Sequence, residues 1–288
     1  VAYVLNHRGV THSLLLLPLW ALPLAWLLAK ILREPDGETA GWRKLYGICA
    51  MSIGAHIAGD WITSFGTMIF APFSDWRAAL GTTFIIDLWF SGIIAAGLLV
   101  SAFLYKSRIP AVTAFIVLAA YVGFQCVQKE KALEFARLYA AERGLRNVDI
   151  AAHPRAVSPF NWTVFVSDNR VHRFAHINLV RETPRRFSPG DGFVAKLDAP
   201  YEPLASAHWQ TRSRYGETGA AQEAWNAPAL SFFRWFAERP ALDGVTKSPE
   251  CYWFVDLRFL NPGRDWVPFR FGACRDAQDG TWRASERD

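Results

Sequence analysis

The stretch from Ile109 to Gln128 reads IPAVTAFIVLAAYVGFQCVQ without a single charge, then runs directly into Lys129-Glu130-Lys131-Ala132-Leu133-Glu134-Phe135-Ala136-Arg137-Leu138. An apolar run of about 20 residues covers a hydrocarbon core of about 30 Å at a rise of about 1.5 Å per residue. In the charged run that follows, apolar side chains recur at three- and four-residue spacing, which predicts an amphipathic helix leaving the bilayer and ending near Gly144. The chain therefore changes solvent near Gln128. Residues 1–128 hold 8 Lys/Arg and 6 Asp/Glu, against 23 and 20 in the remaining 160, so charge is more than twice as dense downstream.

Working back from this boundary, three more apolar stretches appear: Leu14 to Ala29, Leu45 to Phe70 broken by His56 and Asp60, and Leu88 to Tyr105. Charges return between them, in Arg33-Glu34-Pro35-Asp36-Gly37-Glu38, at Asp75 and Arg77, and at Lys106 and Arg108. The expected fold is an α-helical membrane bundle of about four transmembrane helices over residues 1–128, an amphipathic linker helix over 129–150, and a small soluble α+β domain over 151–288. In that domain, alternation in Trp162 to Val166 and Val171 to Leu179, and again in Tyr252 to Phe259 and Val267 to Cys274, predicts two antiparallel hairpins. Pro228 suits the first turn of a helix through Phe232, Phe233, Trp235 and Phe236, whose aromatic face would cover the sheet.

The net charge of +5 and pI near 9.1 are spread along the chain with no run of like charge, which argues against nucleic acid as a partner. Four scattered cysteines make no disulfide framework; at most Cys251 and Cys274 could pair, in a domain outside the cytoplasm. The start at Val1, with no charged segment ahead of the first apolar run, does not read as a signal peptide and is expected of an N-terminally incomplete chain.

Polar residues that hydrocarbon disfavours mark the candidate site. His56 and Asp60 stand four residues apart, on one face of a helix, where both heads converge on one divalent ion or on each other in a structural hydrogen bond. His7-Arg8-Gly9-Val10-Thr11-His12-Ser13 precedes the first apolar run, and Gly9 lets the chain turn so that both imidazoles reach one centre. An up-and-down path of four helices puts His7, His12, Asp60, Asp87 and the downstream domain on the same side. Arg8 reads equally as a headgroup anchor or as a clamp for an oxyanion. Thr11 and Ser13 orient ligands or start the helix. Asp87 is a ligand, a general base, or a negative charge at a helix N-terminus. His172 and His176, also four apart, fall on a strand about 13 Å from one another, as surface histidines.

His-Arg-Gly-Val-Thr-His-Ser before a membrane helix, Gly-x-His-x-x-x-Asp in the next, then Pro72-Phe73-Ser74-Asp75 and Phe84-Ile85-Ile86-Asp87 resemble the YdjM family of predicted membrane-bound metal-dependent hydrolases over residues 1 to about 105. Residues 129–288 resemble the soluble extension of longer members. The resemblance implies a metal site built from His7, His12, His56 and Asp60 with Asp87 nearby, and places an acidic Pro-Asp-x-Asp type motif upstream of where this chain begins. The expected cofactor is a divalent metal, with zinc the first expectation. The expected chemistry is hydrolysis of a lipid or other amphiphilic ester or phosphoester, a class inferred from the site's depth alone. There, Asp87 or another carboxylate accepts a proton from water and Arg8 stabilises the oxyanion. The alternative is a non-enzymatic membrane protein whose polar cluster is structural and whose soluble domain binds a partner. The expected location is the bacterial inner membrane. Six Lys/Arg on the side away from the site against four beside it lean towards a periplasmic site and soluble domain.

Overall fold

A computed structural model describes residues 5–32, 41–188, 190–264 and 266–287. The charged connection Arg33 to Glu38 lies outside the described residues. The chain divides into two compact units, Ala2–Gly81 and Thr82–Asp288.

In the first unit a 3-10 turn at Val10–His12 leads into α1 (Leu17–Ile31), which packs on α2 (Trp42–Trp61). The contact includes Ala21 and Ala25, four residues apart, and Leu28, against Leu45, Tyr46, Cys49 and Ile53. Small side chains at that period let two helix backbones approach closely. The second apolar stretch is not helical to Phe70. Helix α2 stops at Trp61, where the Thr63 hydroxyl (2.7 Å) and an Arg8 guanidinium N–H (3.3 Å) both donate to the Asp60 carbonyl and satisfy an end-of-helix acceptor. The chain then folds back as an irregular segment tied to the opening heptad: Met68 N–H donates to Arg8 O and Leu14 N–H to Ile69 O.

The second unit opens with α3 (Leu88–Phe103) and α4 (Ile109–Glu142). Among the described residues α4 is the one helix long and apolar enough to cross a membrane; α1 and α3 are apolar but shorter. No glycine or proline interrupts the chain between Phe124 and Glu142, so the apolar and amphipathic parts form one 34-residue helix, closed by Gly144 at φ +62°.

Beyond it lie β1 (Asp149–Pro154), β2 (Asn161–Ser167), β3 (Val171–Asn178), α5 (Phe193–Asp198), β4 (Glu202–Pro203), β5 (Trp209–Ser213), α6 (Gly219–Asn226), α7 (Ser231–Phe236), β6 (Pro240–Lys247), β7 (Glu250–Asp256), β8 (Arg270–Arg275) and β9 (Trp282–Arg287). They form a five-stranded sheet, β1-β2-β3-β4 with β5 also on β3, and a four-stranded antiparallel sheet, β6-β7-β8-β9. Both expected hairpins and the Pro228 helix are present, within a larger two-sheet domain. Ala132, Ala136 and Ala140 of α4 lie on one face of the first sheet, against Trp162, Val164, Val166, Ala175 and Ile177. Phe165 and Phe174 on its other face meet Ala241, Val255 and Leu257 of the second sheet. Trp225 of α6 and Phe232 and Phe233 of α7 cover the far side through Phe254 and Phe271. Cys251 and Cys274, opposite each other in the β7–β8 register, form a disulfide.

His172 and His176 are buried, not on the surface, because the face of β3 that carries them is the one the second sheet covers. Alternation along one strand says which residues share a face; it does not say what packs on that face.

Candidate metal centre

Three donors in the first unit converge. His56 and Asp60 sit one turn apart near the end of α2, and the 3-10 turn before α1 brings His12 to them. His12 Nε2 lies 3.3 Å from Asp60 Oδ2, His56 Nε2 lies 3.7 Å from the same oxygen, and the two Nε2 atoms are 3.2 Å apart. Donors held about 2.0–2.1 Å from a tetrahedral ion stand about 3.3 Å from one another, so the spacing suits a small divalent cation. Two imidazoles and a carboxylate are a donor set that many transition metals accept, so these residues do not choose among them.

Two of the three donors, His12 and Asp60, are held from behind. The Thr11 hydroxyl is 2.9 Å from His12 Nδ1; when Nδ1–H donates to it, Nε2 presents its lone pair to the cluster. Burial lowers the His12 pKa against the opposing pull of Asp60, with His56 and Arg8 adding to the lowering, and the neutral form is the one that ligates. Asp60 divides its oxygens: Oδ2 faces the imidazoles and Oδ1 accepts from Arg8 Nη2 at 2.9 Å. Arg8 Nη1 donates to Thr63 Oγ1 at 2.7 Å, and the guanidinium lies over the Phe65 ring. Arg8 is 4% exposed, so its charge acts on Asp60 and not on bulk water.

The opening heptad is shaped for this. Arg8 has φ +56°, an uncommon conformation for a residue with a side chain, and it reverses the chain so that the heptad meets the end of α2. A Cβ on Gly9 would stand 3.0 Å from Asn6 O and 3.2 Å from Met68 Cε, so the turn has little room for a larger residue. Ser13 Oγ donates to Ala71 O at 2.6 Å and accepts from Leu15 N–H, which ties the start of α1 to the returning segment. The cluster opens on a groove of about 370 Å³ lined by Thr11, His12, Trp20, Ser52, Ile53 and His56.

The other residues singled out from sequence stand differently. The His7 ring lies edge-on to Phe65, its centroid 6.4 Å from that of His12, and it is not in the group of three. Asp87 belongs to the second unit. Its Oδ1 accepts from the backbone N–H groups of Trp89 and Phe90 and its Oδ2 from the Tyr121 hydroxyl, so it caps α3. Sequence reasoning did not single out Thr63. An isolated threonine carries no signal until the turn after α2 brings it to Arg8.

These features define a class: a membrane protein of apolar helices carrying a His/Asp group that could hold a metal ion, joined to a sheet-rich domain. Residues 1–132 match the family model described as YdjM inner membrane protein, so this part of the chain is similar to that family. No curated protein and no solved structure matches the chain.

Proposed function

We propose that the protein is a membrane-embedded, metal-dependent hydrolase acting on a lipid or other amphiphilic ester or phosphoester, with α1 to α4 as four spans. The observation that carries this reading is the convergence of His12, His56 and Asp60, from two separate segments, beside an open groove. Three protein ligands leave a tetrahedral ion one position for water or substrate. A divalent cation there, with zinc the first candidate, supplies Lewis-acid activation of water and of the scissile group. The protein's own residues hold the arrangement. Arg8 holds Asp60 turned towards the imidazoles, the Thr11 hydroxyl supports the His12 ring at Nδ1, and Trp20 and Ile53 give the groove an apolar wall for an acyl chain. Arg8 is thus a positioning residue in this proposal, since its donors are engaged with Asp60 and Thr63. The Cys251–Cys274 disulfide supports a periplasmic sheet domain, because cytoplasmic thiols stay reduced.

The test is metal analysis of the detergent-purified chain beside His56→Ala and Asp60→Ala, followed by a lipid and phosphoester hydrolysis screen. Stoichiometric metal and turnover in the wild type, with both lost in the variants, is the expected result. Equal, near-zero metal in all three ends the proposal. Bound metal without turnover favours the rival reading, a structural node in a non-enzymatic protein. Asp87→Asn separates capping from proton transfer, because Asn still caps a helix and cannot act as a base. With both carboxylate oxygens already accepting hydrogen bonds, we expect a stability change below about 1 kcal/mol and little loss of turnover. A hundredfold loss, about 2.7 kcal/mol of activation free energy, would restore Asp87 as the proton acceptor.

A further inference from the structure

The face of the first sheet that meets the second is polar at both ends. Across β1, β2 and β3 it carries the rows Asp149–Ser167–His172, Ala151–Phe165–Phe174 and His153–Thr163–His176. Arg155 follows His153 by two residues, with its backbone N–H donating to Asn161 O. Most of the charge in this layer is balanced. Arg258 pairs with Asp256 and Glu238, and Arg239 pairs with Asp149. His172 is held at both ring nitrogens, by Ser167 Oγ at 2.7 Å and Pro240 O at 2.9 Å.

Two groups are left over. Arg155 is 3% exposed; Nε donates to Thr163 Oγ1 at 2.6 Å and Nη1 to Arg258 O at 2.8 Å and Asn261 Oδ1 at 3.3 Å, all neutral acceptors. Its Nη2 has no acceptor among the described residues, and no carboxylate pairs with it. His153 is 7% exposed, and neither ring nitrogen has a partner. Thr163 Oγ1 accepts from Arg155 Nε and lies 2.8 Å from His176 Nδ1. A guanidinium buried without counter-charge costs several kcal/mol. Burial, and then the charges of Arg155, Arg258, Arg239 and Lys129, keep His153 neutral with one N–H to donate. Two buried groups here, the Arg155 guanidinium and the His153 ring, keep polar atoms with no hydrogen-bond partner among the described residues.

We propose that Arg155 Nη2 and the His153 ring form a binding site for a phosphate oxyanion, as a monoester or diester. Arginine and a neutral imidazole N–H are the donors such an oxygen takes. The position suggests two sources. β1 runs back along α4, so Arg155 lies at the end of the sheet nearest the apolar half of that helix, and Phe160 of the loop after it makes an edge contact with Phe124. A lipid headgroup and free phosphate both have the required chemistry.

The full chain in a phosphate-free maltoside detergent separates them. Titration calorimetry with inorganic phosphate, and in a second arm with phosphatidylglycerol in mixed micelles, should show saturable binding to the wild type. His153→Leu should weaken it about tenfold or more, as expected for one hydrogen bond to a charged group. Arg155→Met should abolish it, and His153→Leu keeps the test decisive if Arg155→Met does not fold. Binding of free phosphate points to a soluble ligand and binding of phosphatidylglycerol alone to a headgroup; either result supports the site. No binding in both arms, or equal binding by His153→Leu, overturns it and leaves an ordered water as the partner of these groups.

Discussion

His56 and Asp60 in the first unit, and His172 and His176 in the sheet domain, have the same spacing in sequence and opposite outcomes. On α2 a four-residue step is one turn, and the two side chains meet with His56 Nε2 3.7 Å from Asp60 Oδ2. On β3 the same step is about 13 Å of strand, and the two imidazoles never share a ligand. The surroundings differ as well. The helical pair opens on a groove and gains His12 from another segment, whereas each strand histidine is enclosed and bonded to a neighbouring hydroxyl, Ser167 for His172 and Thr163 for His176. Spacing gives a potential metal motif, and secondary structure decides whether the donors converge. The next layer of packing decides whether they remain accessible.

The contrast can be broken most directly at Asp60. Asp60→Ala removes the donor shared by both imidazoles and breaks the ion pair with buried Arg8, a loss of about 3–5 kcal/mol. Thermal melts and metal analysis of the purified chain should show destabilisation and metal loss together. An unaltered melt would mean that the first unit does not depend on the cluster.

A smaller effect tests the strand histidines, which should act through acid. Burial, more than the nearby charge of Arg214, brings His172 from 6.5 down to about 4, and burial with the charge of Arg155 brings His176 to about 3. Both are neutral in the folded domain, while the unfolded chain takes up protons below about pH 6.5. Stability is therefore full above that pH and is lost as pH falls towards 4, by about 2 kcal/mol per histidine at pH 5. Melting curves between pH 7 and 4 should fall with that slope, and His172→Gln should flatten it. A flat wild-type profile would mean these imidazoles titrate as exposed groups do.

The smallest effect should come from Thr11→Val, which removes the hydroxyl 2.9 Å from His12 Nδ1. Metal affinity should fall about tenfold with the fold intact, as for other groups behind a ligand. No change would show that His12 needs no such support and that convergence alone makes the site.

Much of this was legible in the residues. A helical spacing of four gave the His56–Asp60 pair, the odd polarity of the opening heptad marked His12 and Arg8, and alternation around Ser167-Asp168-Asn169-Arg170 located the β2–β3 hairpin. What local pattern could not reveal came from distant parts of the chain. The returning segment after Trp61, which ends α2 and braces Arg8, has no periodicity to announce it. The burial of His172 and His176 depends on a second sheet some 70 residues further on, as the Pro240 partner of His172 indicates. The change from apolar to charged at Gln128 marks a change of solvent, and a helix can cross such a boundary without a break.

That last feature has a mechanical consequence. Helix α4 is about 50 Å of unbroken backbone, apolar at its start and fastened to the first sheet by an alanine stripe at its end. A helix with no swivel point transmits tilt and roll. If the apolar half is the span proposed above, a bilayer that thins or thickens makes it lean to keep its side chains in hydrocarbon, and the sheet domain fastened to it leans as well.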